Sequence, residues 1–187
     1  MQQLFIDANR CIGCRACVEA CSECPGHGGI SMIHLDDVAR ATSVQTAPTV
    51  CMHCEEPACA TVCPADAIKT DDDGVVLSAA AERCIGCGNC ALACPFGVPK
   101  IDPQRELMMK CDLCYDRTSE GLAPMCATVC PSGALFYGTH EEVADRRRAR
   151  PSHLFAFGEH AVTTRNALMV PAATSLLVPG PGSAAGD

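Results

Sequence analysis

Sixteen of the seventeen cysteines in this 187-residue chain fall into four tight groups of four, and nothing else in the sequence constrains the fold as strongly. The groups read Cys11-x2-Cys14-x2-Cys17-x3-Cys21, Cys51-x2-Cys54-x4-Cys59-x3-Cys63-Pro64, Cys84-x2-Cys87-x2-Cys90-x3-Cys94-Pro95 and Cys111-x2-Cys114-x11-Cys126-x3-Cys130-Pro131. Two-residue spacers let one turn of chain wrap several thiolates around a shared inorganic core while backbone N–H groups point at the sulfurs. Gly13 and Gly86, each inside a Cys-Ile-Gly-Cys turn, supply the permissive backbone that such a turn needs. Sixteen thiolates in four quartets meet the ligand demand of four [4Fe-4S] clusters.

The third group follows the bacterial ferredoxin run, in which three close cysteines grip one cubane and the fourth, followed by Pro, reaches to a second. The first group shares the spacing but has Ser22 in place of Pro. Three rival uses of cysteine fit less well. A disulfide scaffold calls for an export signal, and the opening MQQLFIDANRC has no basic start, apolar stretch or twin arginine. Zinc sites pair two C-x2-C knuckles per ion and do not require the outlying cysteine with its proline. A redox dithiol belongs beside a βαβ pattern that the sequence does not show. Cys24, two residues beyond the first complete motif, reads as a spare buried thiol. His53 lies between Cys51 and Cys54, but no cysteine is missing for it to replace, and His27, His34, His140, His153 and His160 show no ligand spacing.

With no Trp, two Tyr and five Phe there is little aromatic mass for a large core, so bound clusters are expected to act as its staples. A formal charge of −8 argues against nucleic acid as a partner, and the basic run Arg146–Arg150 reads as a solvated helix end. No P-loop, no G-x-G-x-x-G after a strand and no Ser-His-Asp set is present. Four clusters without a substrate motif point to conduction of single electrons, with the bond chemistry on a partner.

Organisation follows from the repeats. Cys-Pro-Ala-Asp-Ala-Ile at 63–68 and Cys-Pro-Ser-Gly-Ala-Leu at 130–135 are copies of one unit. The expected fold is α+β, with two nested bacterial-ferredoxin-like modules of two clusters each: an outer lobe split into 1–40 and 104–145, and an inner module at 48–103. In each lobe, three cysteines of one group would share a cluster with the last cysteine of the other. Residues 146–187 read as an irregular C-terminal extension, partner-binding or partly disordered. Locally, Ala67–Thr70 and Val75–Ser78 read as short strands around an Asp73-Gly74 turn. The segment 22–48 reads as a long loop, and Thr139 with Glu142 forms a capping box for a helix over about 140–149 that Pro151 stops. Beyond it the chain reads as irregular strand with Phe155 and Phe157 on one face. The apolar stretch Leu168–Val178 is too short, and too interrupted by Pro171, to span a bilayer.

Reduction adds negative charge to an anionic cluster, so nearby cations and dry apolar cover set its potential. The candidates for that tuning are Arg10, Arg15, Arg83, Lys69, Lys100 and Lys110, with Ile12, Ile85, Val62 and Ile68 as cover.

The segments RCIGCRACVEAC, CMHCEEPACATVCP, RCIGCGNCALACPFGVPK and KCDLCYDRTSEGLAPMCATVCP together resemble the four-cluster electron-transfer subunits of molybdopterin oxidoreductase complexes, such as formate dehydrogenase, dimethyl sulfoxide reductase, polysulfide reductase and nitrate reductase. The resemblance covers about residues 3–140. It implies one lobe with Cys11, Cys14, Cys17 plus Cys130, and Cys111, Cys114, Cys126 plus Cys21. It implies a second with Cys51, Cys54, Cys59 plus Cys94, and Cys84, Cys87, Cys90 plus Cys63. It also implies a large molybdenum or tungsten bis-pterin catalytic subunit as partner, with a membrane quinone or haem subunit or another redox protein as the second contact. Related subunits serve hydrogenase-type complexes, and a free polyferredoxin is the alternative to a fixed subunit. The sequence shows no twin-arginine signal and no transmembrane helix, so the expected location is cytoplasmic, with membrane association or export through a partner left open.

Overall fold

The computed structural model describes residues 2–39, 44–146 and 149–171. Arg147, Arg148 and the tail from 172 onward lie outside the described residues, as do the expectations placed on them. The central strand is β1 (Gln3–Ile6), every residue of which is buried. Alternation sends its side chains to two cores: Leu4 and Ile6 join the main one, while Phe5 packs with Val143, Ala167 and Met169. A strand covered on both faces reads as the unbroken apolar run Leu4-Phe5-Ile6.

β1 pairs antiparallel with β6 (Leu135–Gly138) and parallel with β8 (His160–Pro171), which in turn pairs antiparallel with β7 (Ala149–Phe157). The sheet order is β6-β1-β8-β7. The expected irregular extension is therefore corrected through Pro171: its residues form a β-hairpin, turning at Gly158 (φ 63°), and β8 runs through the middle of the sheet. Pro151, expected to stop a helix, sits inside β7, where an edge strand tolerates the missing N–H. The Phe155 and Phe157 rings both meet Phe96 edge-on, at 5.2 and 5.3 Å between centroids.

The helix at 140 forms as α6 (His140–Arg146). Its capping box is present: the Thr139 N–H donates to the Glu142 carboxylate (2.8 Å) and the Glu142 N–H donates to Thr139 Oγ1 (3.4 Å). Val143 pins it over Phe5. The segment read as a loop over 22–48 is corrected too, because it carries the two-stranded ladder β2 (His34–Ala39) and β3 (Val44–Thr49), in register from His34↔Thr49 to Ala39↔Val44. The β-branched Val38, Val44, Thr46 and Thr49 suit that ladder. A further hairpin joins β4 (Lys100–Asp102) to β5 (Leu107–Met109). The expected strands around Asp73-Gly74 contract to a single bridge, Thr70↔Val76, closed by the Leu77 N–H on the Lys69 carbonyl (2.8 Å). Among the described residues no helix is long and apolar enough to cross a membrane.

Strand β8 also stitches the sheet to the second cysteine group. The Arg165 N–H donates to His53 O (2.8 Å), the Asn166 N–H to Met52 O (3.1 Å) and the Glu55 N–H to Thr163 O (3.0 Å). The buried Asn166 side chain adds two bonds, accepting from Leu4 N–H (3.2 Å) and donating to Cys51 O (2.8 Å). Asn166→Ala orphans both groups, and each unpaired buried group costs about 1–3 kcal/mol. The expected result is earlier thermal loss of the folded state and faster hydrogen exchange at the Leu4 amide. Unchanged exchange there would contradict the stitching role.

Candidate metal centres

The four cysteine groups share one local geometry. In each C-x-x-C turn the residue before the second cysteine lies in the left-handed region: Gly13 (φ 70°), His53 (49°), Gly86 (64°) and Leu113 (64°). Glycine is dictated at two of them. A Cβ at Gly86 would stand 2.9 Å from the Glu106 carbonyl oxygen, and one at Gly13 would stand 3.2 Å from Thr46 Oγ1. His53 and Leu113 take that backbone at a steric cost, and both are held in it by complete burial. A short helix then carries the third cysteine of every group: α1 (Ala16–Ser22) Cys17, α2 (Ala58–Thr61) Cys59, α3 (Asn89–Ala93) Cys90 and α5 (Met125–Thr128) Cys126. Groups one and three enter the helix from a left-handed N-cap, Arg15 or Gly88, and groups two and four from Pro57 or Pro124. One helical turn after the third cysteine comes the fourth.

Three cavities are each ringed by four cysteines. Cys11, Cys14, Cys17 and Cys130 line the first, Cys51, Cys54, Cys59 and Cys94 the second, and Cys63, Cys84, Cys87 and Cys90 the third. Each cavity thus joins three cysteines of one group to the last cysteine of another. The remaining four come together as well, since Cys114 and Cys21 lie among the groups that disfavour the Cys126 thiolate, and Cys126 does the same to Cys111. Among the described residues no three His, Cys, Asp or Glu side chains converge as ligands of one ion, and the sulfurs ring a volume instead. Donors point at them: the Met32 N–H reaches Cys21 Sγ (3.2 Å), Ala67 N–H Cys63 (3.3 Å), Leu113 N–H Cys111 (3.4 Å), Met108 N–H Cys84 (3.5 Å) and Leu135 N–H Cys130 (3.5 Å). Thr46 Oγ1 donates to Cys11 Sγ at 3.2 Å. Soft sulfur ligands around a cavity, with amide donors to the sulfurs, fit an iron–sulfur cluster.

Burial makes bare thiolates costly there. Burial, then the neighbouring Cys130 and Cys11, push the Cys17 thiol up to about 11. Burial with Cys51, Cys94 and Cys59 raises Cys54 to about 12, and burial likewise raises Cys59 to about 11 and Cys114 to about 12. Cys111 and Cys126, the most deeply buried, are driven well above the ordinary range. Thiols so placed ionise only when iron replaces their protons.

The six cations expected near the clusters separate by position. Lys110 is 1 % exposed and lines the second cavity, and Arg15 lines the first. Arg83 and Lys69 both pair with Asp66 at the surface, Arg10 Nε donates to Ser132 O (3.0 Å), and Lys100 Nζ donates to Ser31 O (2.8 Å). Of the expected apolar cover Ile68 is buried, but Ile12 and Ile85 are 67 % and 66 % exposed and Val62 is partly exposed. The tight Cys-Ile-Gly-Cys turn throws its isoleucine outward. Cys24 is half-buried, donating to Ala20 O (3.3 Å) and neighbouring Cys114.

Comparison with known proteins agrees with this geometry. Residues 42–140 match one 4Fe-4S dicluster domain model and residues 10–67 match another. The protein is 36% identical over 157 residues to a subunit of the anaerobic dimethyl sulfoxide reductase of Escherichia coli (strain K12), the match covering 74% of each of the two proteins. The chain belongs to the four-cluster ferredoxin-type iron–sulfur subunits. As a member of that family it holds four [4Fe-4S] clusters. It is also 37% identical over 180 residues to the iron–sulfur subunit of the nitrate-inducible formate dehydrogenase of the same organism, covering 84% of this chain. The formate dehydrogenase iron–sulfur subunit of Haemophilus influenzae is 35% identical over 162 residues, or 74% of this chain. The chain spans about 61% and 52% of the length of these two relatives.

His53 was the residue that spacing undervalued. It is completely buried, its Nδ1 accepts the Val76 N–H (3.0 Å), and the proton therefore sits on Nε2. Burial first, then the cations Lys110 and Arg165, hold its pKa well below 6.5. The folded chain keeps the ring neutral where an unfolded chain protonates it, so its contribution to stability is intact above pH 6.5 and declines as pH falls below. Loss of visible iron–sulfur absorbance is expected to accelerate between pH 6.5 and roughly pH 5. His53→Asn keeps an acceptor at the Nδ1 position and tolerates the left-handed backbone, so its acceleration is expected to be smaller. An equal acceleration in both would show that acid acts elsewhere.

Proposed function

We propose that this chain is the electron-transfer subunit of an oxidoreductase complex, passing single electrons between a molybdenum or tungsten bis-pterin catalytic subunit and a second redox partner. Four [4Fe-4S] clusters supply one-electron transfer and no bond chemistry of their own. The chain's part is to hold them in sequence, to cover the middle ones and to expose the ends.

In this reading the ligand sets are Cys11, Cys14, Cys17 and Cys130; Cys21, Cys111, Cys114 and Cys126; Cys51, Cys54, Cys59 and Cys94; and Cys63, Cys84, Cys87 and Cys90. Each short helix then hands over from one set to the next: α1 holds Cys17 and Cys21, and α2 holds Cys59 with Cys63 just beyond it. The observation that carries the reading is electrostatic proximity between sets. Cys17 neighbours Cys126, and Cys51 neighbours Cys111, which supports a series of sets in the order just given. That order supports the nested division, with 1–40 and 104–145 as an outer lobe around 48–103 and the two lobes meeting at Cys51 and Cys111.

The two end sets carry the exposed cysteines, Cys14 and Cys87, beside the exposed Ile12 and Ile85, so both ends of the series open to partners. The relatives named as formate dehydrogenase and dimethyl sulfoxide reductase subunits support a catalytic partner of that class. Among the described residues no helix is long and apolar enough to cross a membrane, and a membrane quinone or haem subunit is one form the second redox partner takes in this reading.

The test is an oxygen-free affinity isolation from native cells with metals assayed on each subunit. The expected result is about sixteen irons on this chain and molybdenum or tungsten on a large partner. Isolation of the chain alone with its irons would instead make it a free carrier, and nickel on the partner would make the complex a hydrogenase.

A further inference from the structure

Lys110 is the one cation of the six that is both buried and set against a cysteine-lined cavity. Its ammonium donates to the Val76 carbonyl and to the Cys111 carbonyl (2.9 Å). Ser78 clamps its backbone on both sides, accepting the Lys110 N–H (3.2 Å) and donating to the Lys110 carbonyl (2.8 Å). The side chain cannot swing to water without giving up these bonds and the packing that excludes solvent. Two of its three N–H bonds go to carbonyls, and the residue lines the cavity of Cys51, Cys54, Cys59 and Cys94. Its charge favours the Cys59 thiolate and disfavours protonation of His53.

A buried ammonium without a counter-charge costs several kcal/mol. Among the described residues no carboxylate forms an ion pair with it. A thiolate-bound cluster in the adjoining cavity would supply the anionic partner that offsets this cost. Position adds a second consequence: the residue that follows Lys110 is Cys111, which neighbours Cys51. Lys110 therefore joins the lining of the second cavity to the backbone of the deeply buried Cys111, where the two lobes meet in the reading above.

We propose that Lys110 is the fixed counter-charge at the middle of the electron path, stabilising the reduced state of the clusters on its two sides. This rests on the four-cluster reading above. A positive charge in low dielectric favours addition of an electron nearby, and its effect fades with distance and with solvent. Arg10, Lys69, Arg83 and Lys100, spent on surface carboxylates or carbonyls, act far less.

The experiment is a redox titration of the intact complex followed by electron paramagnetic resonance, on wild type, K110M and K110R, with iron counted in each. The expected result is a lower midpoint potential for one or two of the four clusters in K110M, no change in the others, and recovery of most of the shift in K110R. Four unchanged potentials in a K110M chain with full iron would overturn the proposal. Because K110M could fail to load, wild type grown with lysine labelled by nitrogen-15 at Nζ supplies a second readout. A nitrogen-15 hyperfine coupling on a reduced cluster, absent in K110R, supports the placement, and its absence in wild type overturns it. If wild type itself carries fewer than four clusters, the four-cluster reading fails and the Lys110 proposal falls with it; a full wild-type set with no shift and no coupling removes Lys110 alone.

Discussion

The burial of thiols beside one another, which makes bare thiolates costly, is the constraint on which the rest of this molecule depends. Burial first, and charged neighbours second, raise several of these thiols, Cys54 to about 12 beside Cys51, Cys94 and Cys59, and Cys114 to about 12 beside Cys24 and Asp112. In a bare chain the deeply buried members, Cys111 and Cys126 above all, resist ionisation. Iron does it for the chain, and in doing so turns a liability into the main source of cohesion for a protein with few aromatic residues. The cysteines are also core residues in their own right: Cys17, Cys21, Cys111 and Cys126 sit in the same buried cluster as Leu4, Ile6, Met32 and Leu113.

The fold meets this constraint with very little secondary structure. Each group spends one left-handed residue to tighten its C-x-x-C turn and one short helix to direct the third cysteine inward and the fourth toward the next cavity. Helices of four to seven residues are too short to be stable alone, so cluster binding and tertiary packing must hold them. The four-stranded sheet acts as a clamp on this assembly. Through β8 it ties both the N-terminal strand and the Cys51–Cys54 turn, and Asn166 bonds both with one side chain. Loss of the hairpin would therefore be felt at a cysteine set, not only at the surface.

Much of this was legible in the sequence, and the parts that were not share a cause. Spacing sorted the cysteines into the quartets from which the proposed ligand sets are drawn, and Thr139 with Glu142 announced α6, because both signals are local. The stretch beyond α6 read as irregular strand, but its place beside β1 and the second cysteine group was hidden, because Leu4 and Cys51, which Asn166 bonds, lie more than a hundred residues away. Gly13 and Gly86 advertise a left-handed turn, whereas His53 and Leu113 adopt it without any signal in their identity. Lys110 looked like any flanking cation, since the partners that hold it at 1 % exposure, Val76 and Ser78, lie more than thirty residues earlier in the chain.

The account stands or falls on four clusters, each held by three cysteines of one group and the last cysteine of another. Diffraction from crystals of the intact complex at the iron absorption edge tests this most directly. The account predicts four iron peaks in one series, bound in turn by sets that include Cys130, Cys21, Cys94 and Cys63 as the visiting ligand. Peaks bound by all four cysteines of a single group, or single-ion peaks at the quartets, would contradict it.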